Sequence, residues 1–309
     1  MAHGSGRIEE LTRQGRAAAL ALARRHGLPT GDPRVLSSRG NLLVHLAPAP
    51  VVARVATLTA LSRSDPFAWL AREVAVARYV AGRGGPVVPP ASAADPGPHW
   101  QDAFVISLWE HITALEVEPS ATEVGVALAR LHAATRGCPA ELGDMSPVRE
   151  LISEGLGTLE RVAAIDATTL AALRSVHSDV LAELATWRPA ELTGEPGEQT
   201  VLHGDAHAGN MLADPGRGWL WIDLEETCRG PAAWDLATAA GRVPGDQRLS
   251  VLRAYAAATG SRGPDAAELG PFYRARVLEG TVWSLCMAQL YPARYADVAG
   301  RLLAEVLAS

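Results

Sequence analysis

The segment His203-Gly204-Asp205-Ala206-His207-Ala208-Gly209-Asn210, followed downstream by Ile222-Asp223, gathers the side chains best suited to chemistry. Asp205 and Asn210 stand in a D-x-x-x-x-N pattern, and Asp223 follows 13 residues after Asn210. Two carboxylates and an amide offer hard oxygen donors of the kind that hold magnesium. A carboxylate can also accept the proton of a hydroxyl, or orient it. Phosphoryl transfer asks little more of a protein than a positioned hydroxyl and metal-held phosphates. The same stretch admits a second chemistry. His203, Asp205 and His207 alternate at i, i+2 and i+4, so on a strand they would face one way and could hold zinc or a hydrolytic metal pair. Against this, His3, His26, His45, His99, His111, His132 and His177 form no second ligand cluster, and Asn210 and Asp223 are left without a role.

The elements that must position these residues follow from turn signals and periodicity. Thr200-Val201-Leu202 leads into the loop, Asn210 to Ala213 reads as a short strand, and Asp214-Pro215-Gly216-Arg217-Gly218 is a turn. Trp219 to Ile222 returns, placing Asp223 at the end of a hairpin and bringing it toward Asn210. Upstream, residues 7–26 have helical spacing and end at Gly27 and Pro29. Short apolar runs at Val35-Leu36, Leu42–Leu46, Val51–Val55 and Phe104–Trp109 predict a small antiparallel sheet. Pro66 opens a helix over about 67–82, and Pro86–Pro98 reads as loop. Ser120-Ala121-Thr122-Glu123 is a capping box starting the first of several helices. The boundary between a β-rich part and a helical part falls near 110–119.

Composition narrows the classes. The chain has 309 residues, enough for one large or two moderate domains. No stretch approaches the roughly 20 apolar residues of a membrane helix. Glu9 and Glu10, ahead of the apolar run Ala17–Ala23, argue against a signal peptide. Cytoplasmic localisation and no membrane partner are expected. Cys138, Cys228 and Cys286 are far apart and odd in number, the pattern of buried thiols rather than of a disulfide framework. All 28 basic residues are arginine, so any task usually given to lysine falls to arginine. Residues 1–110 carry 12 arginines against 8 acids, a net of +4; residues 111–309 carry 16 against 26, a net of −10. This balance disfavours a nucleic-acid partner. The acidic part suits a cationic small molecule, and equally an ordinary solvated surface.

Taken together, His203–Asn210, Ile222-Asp223-Leu224-Glu225 and Trp234-Asp235-Leu236-Ala237 resemble the aminoglycoside phosphotransferase family, a branch of the protein-kinase-like fold. The resemblance implies an α+β, two-lobed architecture: a small β-rich nucleotide-binding lobe over 1–110, with a leading helix at 7–26, and a larger, mainly helical lobe over 111–309. By that resemblance Asp205 is the catalytic aspartate, Asn210 and Asp223 are metal ligands, and Asp235 braces the loop. His203 and His207 hold the loop in shape. The cofactors implied are ATP (or GTP) and Mg2+. Kinases place a basic residue on the third strand, paired with a glutamate on the next helix. Arg54 and Glu73 fill those positions, and arginine in place of the usual lysine is a departure from the family pattern. Ser38, Gly40 and Asn41 would cover the phosphates. Trp109 and His111 would belong to a hinge giving backbone bonds to adenine.

The acceptor implied is a small molecule bearing a hydroxyl: an aminoglycoside or amino alcohol, another antibiotic, a sugar, or a peptide Ser/Thr, in antibiotic resistance or in biosynthesis. Glu226, Asp265, Glu268 and Glu279, with Trp234 and Trp283, would line a site for a cationic acceptor; singly, each serves as well on a helix surface or in a core. A binding-only pseudokinase is the remaining alternative, although Asp205, Asn210 and Asp223 are all present.

Overall fold

A computed structural model describes residues 2–38, 40–57, 60, 63–187, 200–265 and 267–308. It divides into two compact units. The first comprises Met1–Val117, Cys138–Glu141 and Leu212–Glu225; the second comprises Glu118–Gly137, Leu142–Met211 and Glu226–Ser309.

The first unit is built on a five-stranded antiparallel sheet in the order β1-β2-β3-β5-β4. Its strands are β1 (Arg34–Ser37), β2 (Leu42–His45), β3 (Val51–Val55), β4 (His99–Gln101) and β5 (Phe104–Glu110). Pro48 and Pro50 stand in the turn between β2 and β3. Alternation sorts the side chains onto two faces. Leu42, Val44, Ala53, Val55, Ile106 and Leu108 bury one face against Ala18, Ala19, Leu22 and Ala23 of helix α1 (Ala2–Arg25). The opposite face carries Arg54, paired in register with Ser107 of β5. It is covered by helix α2 (Pro66–Gly82), whose N-cap Asp65 accepts from the backbone N of Ala68 at 3.0 Å.

Strand β4 was not read from the sequence; residues 86–98, read as loop, form no strand of their own but make backbone pairings that the loop reading did not anticipate. That stretch runs back beside β5: the backbone N of Ala91 donates to Leu108 O at 2.9 Å, Leu108 N to Pro96 O at 2.9 Å, and Glu110 N to Pro89 O at 3.0 Å. The hairpin of β7 (Met211–Asp214) and β8 (Gly218–Trp221) joins this unit through Leu115 N to Ala213 O and Val88 N to Trp221 O, each 2.9 Å. The sequence reading had placed the hairpin in the contiguous helical lobe. Asp214 closes the turn by accepting from the backbone N of Gly216 and of Arg217.

The second unit is mainly helical: α3 (Ala121–Thr135), α4 (Ile152–Arg161), α5 (Ala167–Thr186), α6 (Ala233–Gly241), α7 (Arg248–Thr259), α8 (Gly270–Leu290) and α9 (Pro292–Ala308). The capping box read from the sequence is formed: Ser120 Oγ accepts from Glu123 N at 3.3 Å, and Glu123 accepts from Ser120 N at 2.8 Å. Helices α3 and α7 cross closely enough that a Cβ on Gly125 would lie 2.3 Å from Val251 O. A short pair, β6 (Thr200–Leu202) with β9 (Cys228–Gly230), sits at the root of the candidate loop. Among the described residues, no helix is long and apolar enough to cross a membrane.

Candidate active site

In the second unit the chain leaves β6 and turns sharply at Gly204, whose φ is +92°. A Cβ there would lie 2.1 Å from Glu226 O, so the turn admits only glycine. Residues 203–207 are not a strand, and the loop ends in a single 3₁₀ turn at Ala208–Asn210. The alternation that would have aimed His203, Asp205 and His207 at one metal therefore does not exist. His203 is fully buried, and its Nδ1 accepts from Asp205 N at 3.3 Å. His207 Nδ1 accepts from Gly209 N at 3.0 Å, while its Nε2 lies 3.3 Å from Asp205 Oδ2. Each imidazole thus spends one nitrogen on loop backbone. Among the described residues, no group of three His, Cys, Asp or Glu side chains is arranged to hold a metal.

The loop is held from below by Asp235, on the first turn of α6 and fully buried. Its carboxylate accepts from His203 N at 2.7 Å, from Gly204 N at 3.0 Å and from His132 Nε2 at 2.9 Å. Tyr255 OH lies 2.9 Å from His132 Nδ1, and burial pushes this phenol up, keeping it a donor. Charge-assisted bonds to a buried carboxylate are the strong kind. Asn210 closes the loop by donating Nδ2 to Asp205 O at 2.9 Å, which fixes the end of its amide that presents oxygen.

Asp205, at the apex, keeps a side chain about a quarter exposed. It accepts through Oδ1 from Arg276 of α8, and Asn210 Nδ2 stands 3.4 Å from Oδ2. Burial works to raise its pKa, but the bond from His207 and the charge of Arg276 outweigh burial and hold the carboxyl below the usual range. Arg276 is also 3.2 Å from Gly204 O, 3.6 Å from Glu226 and 3.5 Å from Glu279, with its guanidinium 4.9 Å from the Trp234 ring centroid.

The acceptor residues expected from the sequence divide. Glu226 and Glu279 meet near Asp205, through Arg276. Trp234 is fully buried and donates Nε1 to Gly204 O at 2.7 Å, so it is a floor under the loop rather than a ligand-facing ring. Asp265 and Glu268 bind each other's backbone N at 2.8 Å, closing the turn before α8. Trp283 is exposed and packs edge-on against Tyr295 with ring centroids 5.1 Å apart.

In the first unit Arg54 is buried and bonded to Glu73, which is 1% exposed. Arg54 also donates to Asp223 at 2.6 Å and Glu225 at 2.7 Å. Burial disfavours its charge, yet three carboxylates override that and raise its pKa. Burial, with Asp223 and Glu225 nearby, pushes Glu73 up against the pull of Arg54. Asp223 has φ +63°, in the left-handed region that Asp tolerates better than most residues. Glu225 also accepts from Asn41 Nδ2 at 3.1 Å and Arg63 at 3.2 Å. Gly40 and Asn41 are tied down further by Thr57, which donates Oγ1 to Gly40 O at 3.0 Å and lies 3.4 Å by its backbone N from Asn41 Oδ1; Ser38 is exposed.

The hinge reading needs correction. The backbone N of Glu110 is taken by Pro89 O and that of His111 by Pro50 O, so neither amide is open to adenine. The His111 ring stacks on His45 at 3.6 Å, and burial with that neighbour lowers its pKa. Trp109 is buried and donates Nε1 to Ser107 Oγ at 2.8 Å. Sequence reasoning assigned no role to Arg276, Glu225 or Arg63. The i, i+3 spacing of Arg276 and Glu279 on one helix was the signal available for the first.

An antiparallel sheet unit whose buried arginine pairs with a helix glutamate, and a helical unit with a braced Asp-containing loop, define a protein-kinase-like fold. The chain matches the model of the phosphotransferase enzyme family over residues 42–272, and it belongs to that family. A stretch of 101 residues is 36% identical to streptomycin 6-kinase of Streptomyces griseus, covering 31% of this chain and 33% of that protein. The chain thus aligns with about a third of the length of the curated relative it matches. Solved structures share the fold at low identity. Amicoumacin kinase hAmiN in complex with AMP-PNP, Ca2+ and Ami matches with a TM-score of 0.69 at 13% identity, over 96% of this chain and 95% of that one. A choline/ethanolamine kinase family protein from Mesorhizobium loti gives 0.63 at 20%, over 96% and 94%. The aminoglycoside phosphotransferase APH(3'')-Id from Streptomyces rimosus in complex with ADP and streptomycin gives 0.55 at 17%, over 85% and 98%.

Proposed function

We propose that the chain is a metal-dependent phosphotransferase that moves the γ-phosphate of ATP (or GTP) to a hydroxyl of a small, cationic acceptor. The observation that carries this reading is the placement of Asp205: a partly exposed carboxylate, kept ionised, at the apex of a loop whose backbone Asp235 clamps at two successive amides. Such a group orients a hydroxyl and takes its proton, which is what phosphoryl transfer asks of a side chain.

The metal reading rests on donor chemistry. Asn210 turns its amide nitrogen to Asp205 O, leaving its oxygen as the ligating end, and Asp223 keeps a side chain 42% exposed. These are hard oxygens suited to Mg2+. Asn210 and Asp223, each in its own unit, are proposed as Mg2+ ligands, and the metal would neutralise charge on the transferring phosphates. Arg54 would grip phosphate where the family pattern has lysine, its planar fork suiting phosphate oxygens. Ser38, Gly40 and Asn41 would cover the phosphates.

A cationic acceptor is supported by the charge around Asp205. Asp205, Glu226 and Glu279 gather around Arg276, in a stretch, 111–309, whose 16 arginines stand against 26 acids; a carboxylate-rich surrounding of this kind suits an ammonium or guanidinium on the acceptor. The likeness to a streptomycin kinase points the same way, and modification of an antibiotic is the reading it supports. The test is a screen of ATP and GTP, with Mg2+, against streptomycin, other aminoglycosides, choline, ethanolamine and neutral sugars. The expected result is a mass gain of one phosphate on a cationic member; transfer confined to neutral sugars would overturn the acceptor class.

A further inference from the structure

We propose that Arg276 is a positioning residue for the transfer step: it locks Asp205 through Oδ1 and the backbone at Gly204, and so assigns Oδ2 as the oxygen that meets the acceptor's hydroxyl. The inference rests on the phosphotransferase reading above.

A free aspartate presents two equivalent oxygens on a broad, two-fold torsion. In this loop they are not equivalent. Oδ1 is bonded to Arg276 Nη2, and the other guanidinium nitrogen, Nη1, is 3.2 Å from Gly204 O. One planar fork therefore grips the side chain of Asp205 and the carbonyl just before it, fixing both loop and carboxylate plane. Oδ2 has only long contacts, 3.3 Å to His207 Nε2 and 3.4 Å to Asn210 Nδ2. It is the oxygen with the longer contacts, and the one outside the arginine's grip, where a hydroxyl can engage.

Arg276 is itself held on every side. It stands within the 21-residue helix α8, with a side chain 12% exposed. Trp234 lies under its guanidinium and simultaneously donates to the same Gly204 carbonyl. Glu226 and Glu279 flank Nη1. If Arg276 served only to balance buried charge, those two glutamates would satisfy it; its closest contact is instead to Asp205.

In the step so positioned, the acceptor oxygen forms a bond to the γ-phosphorus as the bridging P–O bond breaks. The electron pair of that bond leaves on the nucleoside diphosphate, and the hydroxyl proton passes to Oδ2 and then to solvent. Misplacement of a catalytic group by about 1 Å can cost on the order of a hundredfold in rate.

The test compares the full-length wild type with R276A, R276Q, R276K and D205A, using MgATP and whichever of streptomycin, choline or ethanolamine the wild type phosphorylates fastest. Circular dichroism reports folding. R276A is expected to lose about a hundredfold or more in kcat, with both KM values within about threefold of wild type. R276K, keeping charge without the fork, should fall between. Millimolar guanidinium ion should restore part of the R276A rate and none of the D205A rate, a recovery that a purely structural arginine would not give. If R276A does not fold, R276Q and R276K carry the same comparison. Wild-type kcat in the folded arginine variants, or a loss confined to acceptor KM, would overturn the inference while leaving the phosphotransferase reading intact. Failure of the wild type to phosphorylate any of the three would remove the inference together with its premise.

Discussion

Arg54 donates to Asp223 across 2.6 Å, so the arginine at the phosphate-gripping position is bonded to the acid expected to hold the metal. The proposed function gives both groups to the nucleotide. Replacing Asp223 by Ala should therefore weaken binding of metal-nucleotide while leaving the Arg54–Glu73 pair in place. Isothermal calorimetry with MgATP should show at least about a tenfold loss of affinity, the scale of one charge-assisted contact; wild-type affinity would count against the assignment.

The Arg54–Glu73 pair makes a stability prediction. Glu73 is almost wholly buried, and removing its partner leaves an uncompensated charge. Such a loss typically costs about 3–5 kcal/mol, whereas replacing both partners with apolar residues is far milder. Urea unfolding should show Arg54→Ala much less stable than wild type, and Arg54→Met with Glu73→Leu closer to it. A double variant no more stable than Arg54→Ala would show that Asp223 and Glu225, not Glu73, hold Arg54.

The brace under the loop is open to a separate test. Asp235 satisfies two backbone amides and His132 at once. Asp235→Ala leaves all three buried donors unpaired, and each buried orphan costs about 1–3 kcal/mol. A loss of several kcal/mol in denaturant unfolding is expected, along with lost turnover. Unchanged stability would mean that water replaces the carboxylate.

The three cysteines are buried, and burial pushes the Cys286 thiol up to about 11. A raised pKa lowers the thiolate fraction, to about one in a thousand at pH 8 for Cys286, and thiolate is the reactive form. The native protein should be nearly inert to a thiol reagent such as 5,5'-dithiobis(2-nitrobenzoate) at that pH, and all three thiols should react on denaturation. Rapid labelling of Cys286 in the native state would show that α8 opens locally.

Much of this architecture was legible because it is encoded locally. The Asp205–Asn210 spacing, the Asp214–Gly218 turn and the Ser120–Glu123 capping box each lie within a few residues, and each signals through its own chemistry. The pairing of Arg54 with Glu73 came from the family pattern rather than from periodicity. Arg276 was not read: its i, i+3 spacing to Glu279 marks a helix pair, but nothing local says that it meets Asp205 from 71 residues away. Strands β4 and β9, three residues each, are too short to show alternation. Two amides of the expected hinge are already paired, that of Glu110 with Pro89 O and that of His111 with Pro50 O, tertiary pairings that no local signal announces.

The measurement closest to the central claim compares phosphate transfer by the wild type with that by Asp205→Asn, which keeps the shape of the side chain and removes its charge. The wild type, with MgATP and a cationic hydroxyl acceptor, should add one phosphate, and the variant should lose about a thousandfold or more in kcat while binding nucleotide normally. Turnover by Asp205→Asn at the wild-type rate would contradict the account.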